Sequence, residues 1–227
     1  MLKGFSIAIG AAFFGLAHTV AFAVPIVGLV NTGVAAGGGL LADGVQDSHY
    51  SLVETGTANP LNGRGYAQES TGGFPFGPWL ADNGLSLWLT PESNAGASFD
   101  PNIAGVYTWT LKFDLTGFIA STASFSARWS ADNGGTVSLN GNQLGTIGNT
   151  AFSSWTAFNA AGPSFVSGVN ELVFTVTNLA LSGGNPTGLR VEFGPSNVTA
   201  VPEPETYAMM LAGLGIIGFV ARRRRIG

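Results

Sequence analysis

Residues able to do chemistry are sparse in this chain of 227 residues, which has no cysteine and only two histidines, His18 and His49. Without cysteine the chain cannot form disulfides, thiolate zinc sites or iron–sulfur clusters. Two histidines also exclude a multi-histidine metal site. A serine hydrolase could use His49, but no G-x-S-x-G motif accompanies it. We therefore expect His49 to be a strand residue beside Tyr50, either hydrogen-bonded or at the rim of the fold.

Carboxylates offer two further kinds of site. A glycoside hydrolase needs two Asp or Glu side chains facing each other across a cleft. Nothing in the spacing pairs the glutamates of this chain, so an enzyme is not predicted, and we expect Glu192 to be solvated. Calcium binds six to eight oxygens from carboxylates and carbonyls. A structural calcium ion is therefore considered, with Asp43, Asp47 and Asp132 as candidate donors.

Aromatic side chains are the remaining candidates for ligand contacts. Of the five tryptophans, Trp109 and Trp129 fall on the inward faces of predicted strands, and the position of Trp155 is ambiguous. Trp79 follows a stretch rich in Phe and Pro, and Trp88 points away from the leucines on either side of it. Sugar rings stack on exposed aromatic rings, so Trp79 and Trp88 are candidate glycan contacts. The alternative is burial, because large aromatic side chains dominate protein cores.

The first 23 residues are organised like a secretory signal peptide. Lys3 precedes an apolar run over residues 5–20, and Ala21-Phe22-Ala23 forms an A-x-A cleavage site. Signal peptidase would cut after Ala23 and leave Val24 as the first residue. A membrane anchor is the alternative, but the run is short and interrupted by glycine, whereas a span needs about 20 apolar residues.

A second apolar run covers residues 207–221 and is followed by Arg222, Arg223, Arg224 and Arg225. As a helix this run would be about 22 Å long, shorter than the ~30 Å hydrocarbon core, although flanking residues could extend it. Its large apolar residues would point in all directions, unlike the single stripe of a buried core helix. We therefore predict one transmembrane helix, with its arginine end in the cytoplasm.

Directly before this run lies Pro202-Glu203-Pro204, whose prolines hold the peptide extended. A Pro-Glu-Pro motif, a short apolar helix and an arginine cluster, in this order, resemble a PEP-CTERM protein-sorting signal. The resemblance covers residues 201–227 and implies recognition of the motif by an exosortase, a membrane-embedded protease-transpeptidase of bacteria that make extracellular polysaccharide. It also implies that residues 207–221 are a temporary anchor and the arginines a stop signal. The alternative is a plain tail anchor.

Residues 24–200 remain for one folded domain. They contain 11 acidic and four basic residues, a net charge of −7. Such a surface repels nucleic acid, whose binding depends on Lys and Arg contacts to phosphate, so no nucleic-acid partner is predicted.

Alternation with a period of two residues predicts mainly strands in this domain. In residues 105–115, five large apolar side chains alternate with polar ones, and residues 124–130 alternate likewise. Asn140-Gly141 is a hairpin signal between two short apolar stretches. Residues 27–33 are a further possible strand, and residues 59–78 are read as a loop rich in Gly and Pro. Short strands between turns predict an antiparallel β-sandwich.

Two stretches resemble the galactose-binding-like jelly rolls appended to many glycosidases and surface proteins. They are Ala131-Asp132-Asn133-Gly134 with the hairpin after it, and residues 170–178. The resemblance implies a jelly-roll fold with a possible structural calcium, and it does not fix a function.

The sequence therefore predicts an exported, non-enzymatic protein of the cell surface or biofilm matrix, held briefly in the inner membrane and then released. A carbohydrate-binding module acting through Trp79 or Trp88 is the alternative, with a surface polysaccharide as partner. A polysaccharide hydrolase is the weakest hypothesis, because no acid–base pair is identified.

Overall fold

The computed structural model describes residues 22–55, 62–70, 73–202 and 204–226. Residues Ala23–Val201 form one compact unit, and the tail from Pro202 belongs to another. The predicted signal peptide up to Ala21 lies outside the described residues, as does Glu203 of the Pro-Glu-Pro motif.

The compact unit is built from two antiparallel sheets, as predicted. Sheet I has the strand order β10-β7-β12-β5-β4, with β1 added on β12. Its strands are β1 (Ala23–Val24), β4 (Tyr66–Gln68), β5 (Trp88–Thr90), β7 (Phe118–Asp132), β10 (Thr156–Ala161) and β12 (Gly188–Ala200).

Sheet II has the strand order β3-β2-β6-β11-β8-β9. Its strands are β2 (Tyr50–Thr55), β3 (Asn62–Gly63), β6 (Gly105–Asp114), β8 (Gly134–Leu139), β9 (Asn142–Ile147) and β11 (Val169–Asn178). The predicted hairpin joins β8 to β9, where Asn140 and Gly141 both have positive φ angles, 51° and 81°.

The apolar core lies between the two sheets, and all of its buried residues belong to the compact unit. Trp109 of β6 and Trp129 of β7 are fully buried there, as predicted from the alternation. The Trp129 and Phe174 rings lie 5.5 Å apart, and the Phe158 and Phe174 rings 5.8 Å apart, in tilted or edge-on contacts that aromatic pairs prefer. The unit therefore contains its own core.

The predicted strand over residues 27–33 does not form. Gly28 and Gly33 have φ angles of 93° and 72°, which turn the backbone out of the extended conformation. The buried Thr32 instead joins β12 to the residue that precedes β5, because its hydroxyl donates to Leu87 O at 2.7 Å and accepts from Val191 N at 3.0 Å. The predicted loop over residues 59–78 is also corrected in part, since β3 and β4 lie within it.

The chain enters and leaves the compact unit at neighbouring positions. Ala23 of β1 lies opposite Thr199 of β12 in an antiparallel pair, so the start of one strand lies beside the end of the other. The predicted cleavage between Ala23 and Val24 therefore falls inside β1. At the other end, Val201 N donates to Gly117 O at 2.9 Å, and the half-buried Pro202 follows.

The tail forms the helix α1, Pro204–Ile226, where an apolar helix was predicted. Its large apolar side chains are exposed, among them Met209, Ile216 and Phe219, and so are Arg222, Arg223 and Arg224. Within the described residues, no helix combines the length and the apolarity needed to cross a bilayer. The predicted transmembrane helix is therefore not confirmed, because the apolar run is short before the arginines begin.

Candidate functional site

Part of the outer face of sheet I is covered by the chain itself. Residues 73–86 and 148–155 fold over the outward side chains of β5, β7 and β12. Leu80 N donates to Phe152 O at 2.9 Å, which joins the two covering segments, and Ser130 Oγ of β7 donates to Ala151 O at 2.6 Å. Outward side chains beneath these segments, such as Ser130 and Arg190, are consequently buried, whereas Ser126 and Arg128 of β7 stay exposed.

Of the predicted glycan contacts, Trp88 lies beneath this cover, and Trp79 belongs to the cover with its ring packed against that of Trp88. Trp88 is 0% exposed and Trp79 is 4% exposed, with ring centroids 4.4 Å apart. Trp79 Nε1 donates to Asp132 Oδ2 at 2.9 Å, and Trp88 Nε1 donates to Leu80 O at 2.9 Å. The prediction of an exposed stacking platform at these residues is therefore wrong, because residues 73–86 return across β5 and cover Trp88.

Arg190 of β12 is also fully buried under the cover. Its guanidinium donates to Ser86 Oγ at 2.7 Å, to Ala81 O at 2.8 Å and to Asn83 Oδ1 at 3.0 Å. Further donations reach Leu80 O and Ser86 O. Burial lowers the pKa of Arg190, while Asp82 and Glu192 act in the opposite direction. Sequence reasoning missed this role, because an outward strand position predicts a solvated arginine.

Glu192 accepts four hydrogen bonds in the same network and is 5% exposed, so the prediction that it is solvated is wrong. Asn83 Nδ2 and Ser86 Oγ donate to Oε1 at 2.6 and 2.7 Å, while Arg128 donates to Oε2 from Nε at 2.8 Å and from Nη2 at 2.6 Å. Burial alone would raise the pKa of Glu192, but these hydrogen bonds outweigh it and hold the pKa below its ordinary value.

Trp155 is half-buried at the edge of this network. The guanidinium carbon of Arg128 lies 4.5 Å from the centroid of its ring, and that of Arg190 lies 5.2 Å away. Among the described residues, every tryptophan is thus either buried or in contact with arginine through its ring.

Asp132 has the most perturbed carboxylate of the covered face. Burial raises its pKa to about 6, against the opposing hydrogen bonds from Trp79 and Asn133. Because this side chain is buried and accepts hydrogen bonds from Trp79 and from the adjacent Asn133, we interpret the shift as structural rather than catalytic.

The three candidate calcium donors are not brought together. Asp43 Oδ1 accepts from Glu69 N at 2.9 Å, and Asp132 lies under the cover of sheet I. Asp47 is fully buried and accepts from Gly33 N at 2.8 Å and from His49 N at 2.8 Å. Among the described residues, no group of three or more His, Cys, Asp or Glu could hold a metal ion.

The outer face of sheet II, by contrast, is open and carries rows of hydroxyls. Thr108 of β6 lies opposite Thr175 of β11, which lies opposite Thr136 of β8, which lies opposite Thr146 of β9. These side chains are half-buried or exposed. Neighbouring strands are about 4.8 Å apart, so the hydroxyls form a regular row across the sheet.

A cavity of about 540 Å³ opens at the β2–β6 corner of this face. Its lining includes His49, Ser51, Arg64, Thr110 and Lys112. His49 is hydrogen-bonded, since its Nδ1 lies 3.0 Å from Asp47 Oδ1. The predicted strand position is wrong, because β2 begins one residue later, at Tyr50. Lys112 Nζ lies 2.7 Å from Glu171 Oε1 in an exposed ion pair.

A second cavity of about 400 Å³ adjoins the first, because Gly63 and Arg64 line both. Gln46, Tyr66 and Glu92 line the second cavity, and Gln46 Nε2 donates to Tyr66 OH at 2.9 Å.

Arg64 was not identified from the sequence. The sequence feature that could have drawn attention to it is an isolated charge between Gly63 and Gly65, in a chain with only 10% charged residues. Gly65 is required here, because a Cβ at this position would lie 2.3 Å from the Trp109 ring.

Comparison with known proteins identifies the tail. Residues 200–225 match the family model of the PEP-CTERM protein-sorting motif. This match confirms the motif predicted from Pro202, Glu203 and Pro204, although Glu203 itself lies outside the described residues. No match to a curated protein was found.

Two solved structures are similar to the chain at low identity. One is a family 35 carbohydrate-binding module from an environmental isolate, 14% identical, with a TM-score of 0.23; the match covers 47% of this chain and 77% of the module. The other is the CBM35 of Cellvibrio japonicus Abf62, 13% identical, with a TM-score of 0.26; here the match covers 70% of this chain and 97% of the other. The chain thus carries a PEP-CTERM protein-sorting motif at residues 200–225, joined to an antiparallel β-sandwich.

Proposed function

We propose that this chain is an exported, non-enzymatic protein of the cell surface or extracellular matrix, and that an exosortase processes its tail. The match of residues 200–225 to the PEP-CTERM protein-sorting motif carries the proposal. Signal peptidase removes residues 1–23 in the same pathway, and the sandwich is the part that remains outside the cell.

The arrangement of the chain ends supports processing of a folded sandwich. A protease needs several residues of extended, unpaired peptide, and β12 is paired on both sides near its end, with β7 and with β1. Val201 still donates a backbone hydrogen bond to Gly117. A cut on the C-terminal side of Val201 therefore leaves the sheet intact, whereas a cut before Thr199 would remove paired residues.

Replacing Arg222–Arg225 with glutamine in the producing bacterium tests the proposal. We expect an unprocessed precursor to accumulate in the cell fraction, because the motif has lost its basic cluster. Replacement of the same four residues with lysine is the matched control, since it preserves the charge. Mass spectrometry of the released protein would locate the new C-terminus, which we expect on the C-terminal side of Val201. Normal release of the glutamine variant with an intact tail would contradict the proposal.

A second candidate function is carbohydrate binding by the open face of sheet II. Regular hydroxyl rows beside two adjoining cavities offer many hydrogen-bonding groups, which suits a chain of sugar hydroxyls. Affinity electrophoresis of the Ala23–Val201 unit in gels containing polysaccharide tests this candidate. Gln46→Ala should reduce retardation, while Asn142→Ala, at the far edge of the sheet on β9, should not. Unretarded migration of the unaltered unit in every polysaccharide would contradict it.

A further inference from the structure

Arg64 differs from the other basic side chains of the sandwich in its partners. Arg128 and Arg190 lie near Glu192, Lys112 pairs with Glu171, and His49 lies next to Asp47. Among the described residues of the Ala23–Val201 unit, Arg64 is the basic residue with no carboxylate within ion-pair distance. Its guanidinium donates to Ser48 O, which holds the side chain at the boundary of the two cavities.

The cavity around Arg64 concentrates positive charge in an acidic domain. Arg64, Lys112 and His49 all line the 540 Å³ cavity, although residues 24–200 carry 11 acidic against four basic residues. Ser51 and Thr110, paired across β2 and β6, add hydroxyl groups to the same wall. Three further cavities each have one basic side chain in their lining, Arg64, Arg128 or His49.

Two carboxylates, those of Asp47 and Glu171, lie near this positive charge and partly offset it. Neither prevents an anion from binding in the cavity. Asp47 is buried and accepts hydrogen bonds from the Gly33 and His49 backbone, so much of its charge is already engaged. Glu171 pairs with Lys112 at the surface, where both side chains are about half exposed or more. Exposed ion pairs contribute little, so Lys112 can exchange Glu171 for a ligand at small cost.

We propose that this cavity binds the anionic group, a carboxylate or a sulfate ester, of a polysaccharide that lies across the open face of sheet II. The planar fork of Arg64 matches the geometry of either anion. Lys112 supplies a second positive charge, and Ser51 and Thr110 supply hydroxyl donors. This inference names the ligand class for the carbohydrate-binding candidate and rests on it.

The test uses the Ala23–Val201 unit, which contains its own core, with near-UV circular dichroism to verify that each variant is folded. Titrations with polygalacturonate, dextran sulfate and neutral dextran separate carboxylate, sulfate and uncharged ligands. Arg64→Gln should weaken binding of the charged polymers about tenfold, as expected for loss of a charge-assisted hydrogen bond. Asn142→Asp, an exposed change of equal charge on β9, should weaken it less than about twofold, the scale of a screened surface charge.

Glu171→Gln provides a test in the opposite direction. Freeing Lys112 should tighten binding about twofold to threefold, in keeping with the small value of an exposed ion pair. Asp114→Asn, an equal charge change at the end of β6, is its control. Retained affinity of Arg64→Gln for both charged polymers would overturn the inference.

The two proposals fail in distinguishable ways. Binding of neutral dextran with the same affinity as the charged polymers, unaffected by Arg64→Gln, would overturn the anion site and support general carbohydrate binding. Perturbation of the Arg64 Nε–H resonance by inorganic sulfate, without binding of any polymer, would support the anion site and overturn the carbohydrate function. Absence of both effects would overturn both.

Discussion

The two outer faces of the sandwich differ although both begin from the same strand alternation. Sheet I directs Arg190, Glu192 and Trp88 outward, and sheet II directs Thr108 and Thr175 outward. The first set is buried under residues 73–86 and 148–155, while the second remains accessible. Alternation with a period of two residues therefore predicts which side chains point away from the core, but not whether they are exposed to solvent.

The lengths of the connections explain this difference. Sheet II includes the two-residue turn between β8 and β9, which is too short to fold over a face. The connection from β4 to β5 is 19 residues long and contains the segment 73–86 that crosses sheet I. Covering a face also requires partners for its buried polar groups, and Arg190 and Glu192 bond to that segment.

The largest expected contrast between the faces concerns Arg190. Arg190→Met would leave the oxygens of Ala81 and Asn83 without their donor and would break a buried ionic network, which costs about 3–5 kcal/mol. We expect the free energy of unfolding of the Ala23–Val201 unit in urea to fall by this amount. Arg64→Met, on the open side, is the control and should change it by less than about 0.5 kcal/mol. Equal losses would show that the cover contributes no special stability.

The two faces should also respond to pH with opposite signs. The pKa of Asp132 is raised from 3.8 to about 6 in the folded protein, so the folded state binds the proton more tightly than the unfolded state. Stability should therefore fall as the pH rises from about 4 to about 6, by roughly 2–3 kcal/mol at 1.36 kcal/mol per pKa unit. Asp132→Asn should remove this loss while its amide oxygen still accepts from Trp79.

Asp114, on the open face, is the matched comparison for Asp132. Hydrogen bonds from the Thr116 hydroxyl and backbone lower the pKa of Asp114 below 3.8. Its contribution is present above the unfolded pKa and is lost as the pH falls through the lower folded value. In urea unfolding between pH 2 and 7, Asp114→Asn should thus be less stable than the parent above the unfolded pKa, and the two proteins should converge at the acidic end. A parallel shift for both variants would contradict the assigned environments.

Ser130 and Thr175 test the polar contacts of each face with smaller changes. Ser130→Ala removes a buried donor to Ala151 O and should cost about 1–3 kcal/mol, because the carbonyl is left unsatisfied. Thr175→Val keeps the shape of an accessible side chain and should stay within about 0.5 kcal/mol in the same urea assay. A decrease of more than about 1.5 kcal/mol in the free energy of unfolding for Thr175→Val would mean that the outer face of sheet II is covered rather than accessible to solvent.

The smallest effect is expected at the Lys112–Glu171 pair. Lys112→Met should reduce the free energy of unfolding by about 0–1 kcal/mol at low salt. In 1 M sodium chloride the Debye length falls to about 3 Å, so this difference should disappear. A difference that persists in high salt would show that Lys112 stabilises the sheet through packing of its aliphatic stem rather than through charge.

Several elements were predictable because their signals are local. The alternation over residues 105–115 predicts β6 and its buried face, and Asn140-Gly141 predicts the β8–β9 turn. Pro202, Glu203 and Pro204 with the arginines predict the sorting motif, since a signal read as a linear peptide is present in the sequence itself. The prediction of a strand over residues 27–33 was wrong because Gly28 and Gly33 have positive φ angles, which the apolar pattern alone does not indicate.

The candidate site was not predictable in the same way. Trp79 and Trp88 were identified as aromatic residues outside the core pattern. Both are buried because segment 73–86, which lies far from β12 in sequence, contacts β12 in space. Arg64 and Lys112 are 48 positions apart in the sequence and line one cavity because β3 and β6 both lie next to β2.

The sequence by itself determined the strand faces, the tight turns, the acidic character of the sandwich and the sorting motif, because each depends on neighbouring residues or on composition. Only the tertiary structure decided which outward face is covered, which carboxylates are buried and which basic side chains share a cavity. These properties depend on contacts between distant segments, whose packing free energy is a sum over the whole molecule and leaves no periodic trace in the chain.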